Sequence, residues 1–120
     1  MRSIFILIAL IAVACAQPAK ATGGLVCQTA RERPIKIVVG FGHGLGSGLF
    51  LNKLEDSGRE VPVEVSEWWL RDEEVRLALI SPDHIREEAI VIANWNEEAR
   101  SYDGYVSRDG SRRWIRCREG

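Results

Sequence analysis

Glycine fills every second position of Gly40-Phe41-Gly42-His43-Gly44-Leu45-Gly46-Ser47-Gly48, a spacing that invites comparison with phosphate-cradling loops. A dinucleotide turn needs Gly-x-Gly-x-x-Gly between a strand and a helix, so that backbone amides and the helix N-terminus meet the pyrophosphate. The frames starting at Gly40, Gly42 and Gly44 put Leu45, Ser47 and Leu49 where the third glycine belongs. No lysine stands in place for a Walker-type loop, and no helical pattern follows. Residues 40–48 read instead as a flexible hairpin loop, as a strand that lets another backbone approach closely, or as a lip over a barrel mouth. Ser47 lies near His43, but acyl transfer also needs an orienting carboxylate and a nucleophile on a strained Gly-x-Ser-x-Gly turn. His84, the only other histidine, falls in a turn, and two distant histidines give no zinc-ligand spacing. Asp72-Glu73-Glu74, Glu87-Glu88 and Glu97-Glu98 sit at turns and strand ends, where solvated charge is the default. The sequence therefore predicts no catalytic residue, no metal site and no cofactor, and the chain does not read as an enzyme.

The aromatic residues carry the recognition signal. Four tryptophans are many for this length, and Trp68-Trp69 cannot both point inward from a regular strand. Trp68, Trp69, Tyr105 and Trp114, rimmed by Arg112 and Arg116, form a candidate binding surface. The alternatives are that a bulge buries both neighbouring tryptophans or that the aromatic pairs merely cover a sheet.

Export is written at the start. Met1-Arg2-Ser3 precedes an apolar run from Ile4 to Ala14, too short for the roughly 20 residues of a membrane span but right for a secretory signal. Ala19-Lys20-Ala21 fits the small-x-small rule, leaving 1–21 as signal peptide and 22–120 as one β domain. Ala14-Cys15-Ala16 fits the rule as well, with cleavage after Ala16. Ala12-Val13-Ala14-Cys15 resembles a lipobox, with cleavage before Cys15 and acylation of that residue. The expected destination is the periplasm or the exterior, or a membrane anchor if Cys15 is acylated. Cys27 and Cys117 remain as an even pair in an oxidising compartment and are expected to bridge.

The chain holds 16 basic and 17 acidic residues; without Arg2 and Lys20 the balance is 14 against 17, a net charge of −3. Glu55 to Glu98 holds 13 acidic and 4 basic residues, and Arg100 to Arg118 holds 6 basic and 2 acidic. This is a mixed, solvated surface or an acidic patch for a cationic partner. So few basic residues argue against nucleic acid.

These residues must be positioned by strands. Leu25 to Thr29 and Ile35 to Phe41 read as the first two, the second alternating cleanly. Gly48 to Leu54 reads as its hairpin partner, with a turn at Asp56-Ser57-Gly58. Val61, Val63 and Val65 alternate in one further strand, where Pro62 prefers an edge, and Trp68-Trp69-Leu70 precede a turn over Arg71 to Glu74. Val75 to Leu79 and Ala89 to Asn94 are strands; Ser81-Pro82-Asp83 starts a short helix or forms a plain turn. Asp109-Gly110 predicts a type I′ hairpin, which pairs Val106 with Arg113, Tyr105 with Trp114, Gly104 with Ile115, Asp103 with Arg116 and Tyr102 with Cys117. One face of that ribbon collects Tyr102, Gly104, Val106, Ile115 and Cys117. The fold class is all-β, about eight antiparallel strands in a meander forming a small barrel or two-layer sandwich, closed by one disulfide at a seam between first and last strands.

The signal peptide with its lipobox-like run, the early Leu25-x-Cys27 strand and the terminal strand from Trp114 to Cys117 resemble the small periplasmic β-barrels of the membrane-bound lysozyme inhibitor type. The resemblance is one of layout. That family's Ser-Gly-x-x-Tyr inhibitory loop has no counterpart, since Ser57-Gly58 is followed by Arg59-Glu60-Val61, and Asp103-Gly104-Tyr105 does not match its Trp-x-x-Gly segment. The resemblance implies a barrel that works by binding. The expected function is an envelope binding or inhibitor-like module engaging another envelope protein. The alternatives are a lipocalin-like barrel holding a small apolar ligand, with Trp68, Trp69 or Trp95 at its mouth, or a structural envelope component.

Overall fold

Period-two alternation turns one face of a strand to its sheet's interior and the other to water, and that pattern recurs along most of this chain. The computed structural model describes residues 23–30, 32–41, 49–71 and 73–120; the leader with Cys15, and the glycine stretch with His43 and Ser47, lie outside them. The strands are β1 (Gly23–Gln28), β2 (Ile35–Phe41), β3 (Leu49–Asp56), β4 (Arg59–Val61), β5 (Glu64–Arg71), β6 (Glu74–Ile80), β7 (Glu87–Asn96), β8 (Ser101–Arg108) and β9 (Ser111–Glu119). All nine form one antiparallel sheet in the order β4-β3-β2-β1-β9-β8-β7-β6-β5.

The two edge strands of this sheet are consecutive in sequence. Only Pro62 and Val63 separate β4 from β5, so the sheet must curl until its edges meet there, giving a half-barrel. The alternating run Val61 to Val65 is thus not one strand. It breaks at Pro62, which has no N–H for a ladder and sits where the chain leaves one edge for the other, and this break accounts for nine strands instead of about eight. The first and last strands do pair, but β1 and β9 lie at the centre of the sheet, so the seam runs between the β3/β4 edge and β5. Cys27 and Cys117 stand directly opposite each other in the β1–β9 ladder and are bridged.

The closing hairpin follows its turn. Asp109 and Gly110 have φ of 51° and 77°, and β8 and β9 pair in the register expected from them. Among the described residues Ser81-Pro82-Asp83 is a turn, not a helix: the Ser81 hydroxyl accepts from the Arg86 amide at 3.0 Å and donates to Asp83 at 2.5 Å. The polar turn after β5 is tighter than expected, since β5 runs through Arg71 and β6 begins at Glu74.

The interior is filled by the inward residues of both halves, among them Ile37, Leu54, Leu79, Val91, Val106 and Ile115, none more than 1% exposed. Gly104 belongs to this face. A Cβ there would collide with the Ile92 carbonyl and stand 2.6 Å from Ala93 Cα, so glycine is what lets β7 and β8 approach where the sheet bends. The charged side chain of Arg108 also turns inward. Arg108 is 11% exposed and its Nε donates to Asp56 Oδ2 at 2.8 Å, while its Nη1 donates to the Glu88 carbonyl oxygen at 3.0 Å and to Glu88 Oε1 at 3.3 Å. Asp56 is on β3 and Glu88 on β7, so a single guanidinium ties two well-separated strands of the sheet.

Candidate binding surface

On β5 the pairings Trp68 with Leu77 and Leu70 with Val75 put Trp68 and Leu70 on the inner face, because Leu77 and Val75 are buried there. Trp69, paired with Arg76, faces out. From Trp69 the outer face continues strand by strand in direct register: Arg76 opposes Ile92, Ile92 opposes Tyr105 and Tyr105 opposes Trp114. Five adjacent strands thus present one registered row, Trp69-Arg76-Ile92-Tyr105-Trp114. Its apolar members are exposed at 37% for Trp69 and Ile92, 52% for Tyr105 and 45% for Trp114.

Guanidinium groups lie against these rings. Arg76 Cζ is 4.9 Å from the centre of the Trp69 ring, Arg116 Cζ 5.0 Å from Trp114 and Arg112 Cζ 5.4 Å from Tyr105. Cation–π contact favours this stacking and keeps the aromatic faces covered without removing the positive charge. Trp69 Nε1 donates to Glu74 Oε1 at 3.2 Å, which fixes the indole. Among the described residues Arg76 and Arg112 make no ion pair, and Arg76 Nε is buried without a hydrogen-bond acceptor.

A polar row borders the aromatic one and crosses the whole sheet: Arg71, Glu74, Asn94, Asp103, Arg116, Gln28, Lys36, Glu55 and Glu60 stand in register on successive strands. Its centre is rigid. Arg116 clamps Asp103 with two bonds of 2.8 Å, and Asn96 and Ser101 each donate to the same carboxylate at 2.8 Å. The Arg116 hydrogen bond, more than any other contact, holds the Asp103 carboxyl well below the usual carboxylate range; that of Arg108 similarly lowers Asp56.

Both groups take up a proton more readily in the unfolded chain, so their contribution is fully present above about pH 5 and is lost progressively as the pH falls through and below 4. Urea midpoints measured between pH 7 and pH 3 are expected to fall, and Asp103→Asn to flatten that decline. An equally steep decline in the variant would show that the clamp does not contribute.

Of the residues expected to form a surface, Trp69, Tyr105, Trp114, Arg112 and Arg116 come together on one face. Trp68 does not join them, being on the inner side of β5, where with Leu70 it faces Leu25, Cys27 and Val39 across a gap of about 10 Å³, roughly the space of one water. Arg76 and Ile92 belong to the row and were not expected. Val75-Arg76-Leu77 carried a signal for the first by alternation; Ile92 was hidden within an unbroken apolar run. Beside Trp114 the row ends in an open depression of about 310 Å³, lined among others by Val26, Gln28, Arg116 and Arg118. Trp95 packs edge-to-face on Tyr102, ring centres 5.0 Å apart. His84 lies in its turn, Nε2 2.5 Å from Glu64 Oε2, and no group of three His, Cys, Asp or Glu residues among the described residues could hold a metal ion. No protein-family model, curated protein or solved structure matches this chain.

Proposed function

We propose that the protein is a binding module of the cell envelope, without catalytic activity, that engages another envelope protein through the outer face of β5 to β9. The observation that carries this reading is the registered row Trp69-Arg76-Ile92-Tyr105-Trp114: large exposed rings with charge around them are the composition of an interaction hot spot. Arg76 and Arg112 define the partner's chemistry, an apolar patch offering carboxylate or carbonyl oxygens to guanidinium groups already held flat on rings. The narrow gap beneath Trp68 favours this surface over the interior as the place of recognition. Export and the Cys27–Cys117 bridge suit the same compartment.

The test compares the oxidised protein with Tyr105→Ser/Trp114→Ser as bait for solubilised envelope proteins, followed by affinity measurement on the protein retained. Loss of these two aromatics is expected to cost at least about 2 kcal/mol, roughly thirtyfold in Kd, with the bridge and near-ultraviolet dichroism otherwise intact. Equal affinity of the two forms, or no envelope protein retained by either, would overturn the reading.

A further inference from the structure

The outward side chains change height where the last strand meets the first. Trp114, Arg116 and Arg118 stand outward along β9, and against them β1 sets only Val26, opposite Arg118, and Gln28, opposite Arg116, with Ala30 beyond the end of the strand. The tall wall and the low floor make the depression of about 310 Å³ beside Trp114, which extends to Ala30. On its far side is β2, where Lys36 opposes Gln28 and Val38 opposes Val26. The positive charge around this floor is incompletely answered. The carboxylates next in register, Asp103 beyond Arg116 and Glu55 beyond Lys36, are already engaged, Asp103 by Arg116 and Glu55 by Lys53 at 3.0 Å. Among the described residues Arg118 bonds only the Ala99 carbonyl oxygen, at 3.4 Å, and Lys36 enters no ion pair.

We infer that this trough takes an extended acidic segment of the envelope partner, lying along β1 with carboxylates at alternate positions; the inference rests on the partner reading above. Spacing decides the form of the ligand. Val26, Gln28 and Ala30 follow one another every second residue, about 6.8 Å apart in an extended strand, and an extended segment laid alongside repeats its own side chains at the same interval. A carboxylate at the level of Val26 meets Arg118, and the next, at the level of Gln28, meets Lys36. The third side chain on that face is apolar and lies against Ala30 and the Trp114 ring. The pattern is therefore acidic-x-acidic-x-apolar. Carboxylates bound to cations beside an apolar floor lose water on both sides, which strengthens the attraction and makes its geometry selective. Trp114 belongs to the aromatic row and to the trough alike, so the segment carries the partner's contact from β9 onto β1.

Short peptides test the trough without the partner. The oxidised, isotope-labelled protein is titrated by nuclear magnetic resonance with end-blocked Glu-Thr-Glu-Thr-Phe and with the reversed order Phe-Thr-Glu-Thr-Glu, since the segment's direction is open. One of them is expected to move the amide signals of Val26, Gln28 and Arg118 with a Kd below about 1 mM. Lys36→Gln and Arg118→Glu are each expected to weaken it at least about fivefold, and Arg118→Glu to prefer the peptide whose terminal glutamate is replaced by lysine. Retention of the Cys27–Cys117 bridge and of near-ultraviolet dichroism verifies that each variant is intact. Failure of both orders to bind overturns the inference, as does equal binding of Glu-Glu-Thr-Thr-Phe, in which the carboxylates are adjacent, or the absence of any preference for lysine in Arg118→Glu. Glutarate bound as tightly as the peptide overturns an extended segment as the occupant. An envelope partner held equally by the wild type and Arg118→Glu overturns this inference and leaves the partner reading standing. Peptide binding as described, with no envelope protein retained, overturns the partner reading and leaves the acidic segment as the ligand of the trough.

Discussion

Replacing Cys27 and Cys117 together by alanine is expected to lower the folding free energy by about 4 to 5 kcal/mol. The bridged residues are 90 apart in sequence, so the cross-link removes one of the largest loops this chain can form from its unfolded ensemble. A domain of this size commonly has only about 5 to 15 kcal/mol in total, and the variant is expected to be partly unfolded at body temperature. Both cysteines are at most 1% exposed, and the missing sulfur atoms add a packing loss in the same direction. Urea unfolding of the oxidised protein and the double variant measures the difference. A shift below about 1 kcal/mol would mean that the β1–β9 ladder restricts the unfolded chain nearly as well without the bond.

Arg108→Met is expected to cost about 3 kcal/mol. Methionine keeps the apolar stem but removes three hydrogen bonds, one to Asp56 and two to Glu88, whose side chain is 7% exposed. Glu88 keeps Arg86 Nη2 at 3.2 Å, but that guanidinium is largely in water and screens weakly. The uncompensated carboxylate is the main cost, so Glu88→Gln added to Arg108→Met is expected to be less destabilised than Arg108→Met alone. Double-mutant unfolding free energies check this; simple addition of the two single losses would rule out coupling. The Asp56 carboxyl, released from Arg108, should return toward its ordinary range and surrender its share of the acid sensitivity.

The closing hairpin was legible to the residue, because an Asp-Gly turn is a local device and fixes every pair beyond it. The same alternation carried an unread signal for Arg108: counting on in twos from Tyr102, Gly104 and Val106 gives an inward side chain, which the basic charge of the ribbon masked. What local pattern cannot provide is the identity of a strand's neighbour. Val61 and Val65 alternate as one strand, yet the chain crosses between opposite sheet edges at Pro62. Trp114 read as outward, and so did one of Trp68 and Trp69 without a sign of which, but the common row depends on the registers of β6 and β7, set by turns without so strong a signal and by a bulge between Val65 and Glu67. Arg76 was visible as an outward residue and invisible as a member of the surface for the same reason.

The strand order also orders the events of folding. Among the described residues seven of the eight ladders join strands adjacent in sequence, and β1 with β9 is the exception. The chain is therefore two meanders, β1 to β4 and β5 to β9, each able to assemble from neighbouring hairpins on a fast, local time scale. One encounter between distant segments must then bring them together, and its loop-closure entropy falls on a single ladder. Cys27 and Cys117 sit within that ladder, so the rate at which the thiols oxidise reports how often the two meanders meet.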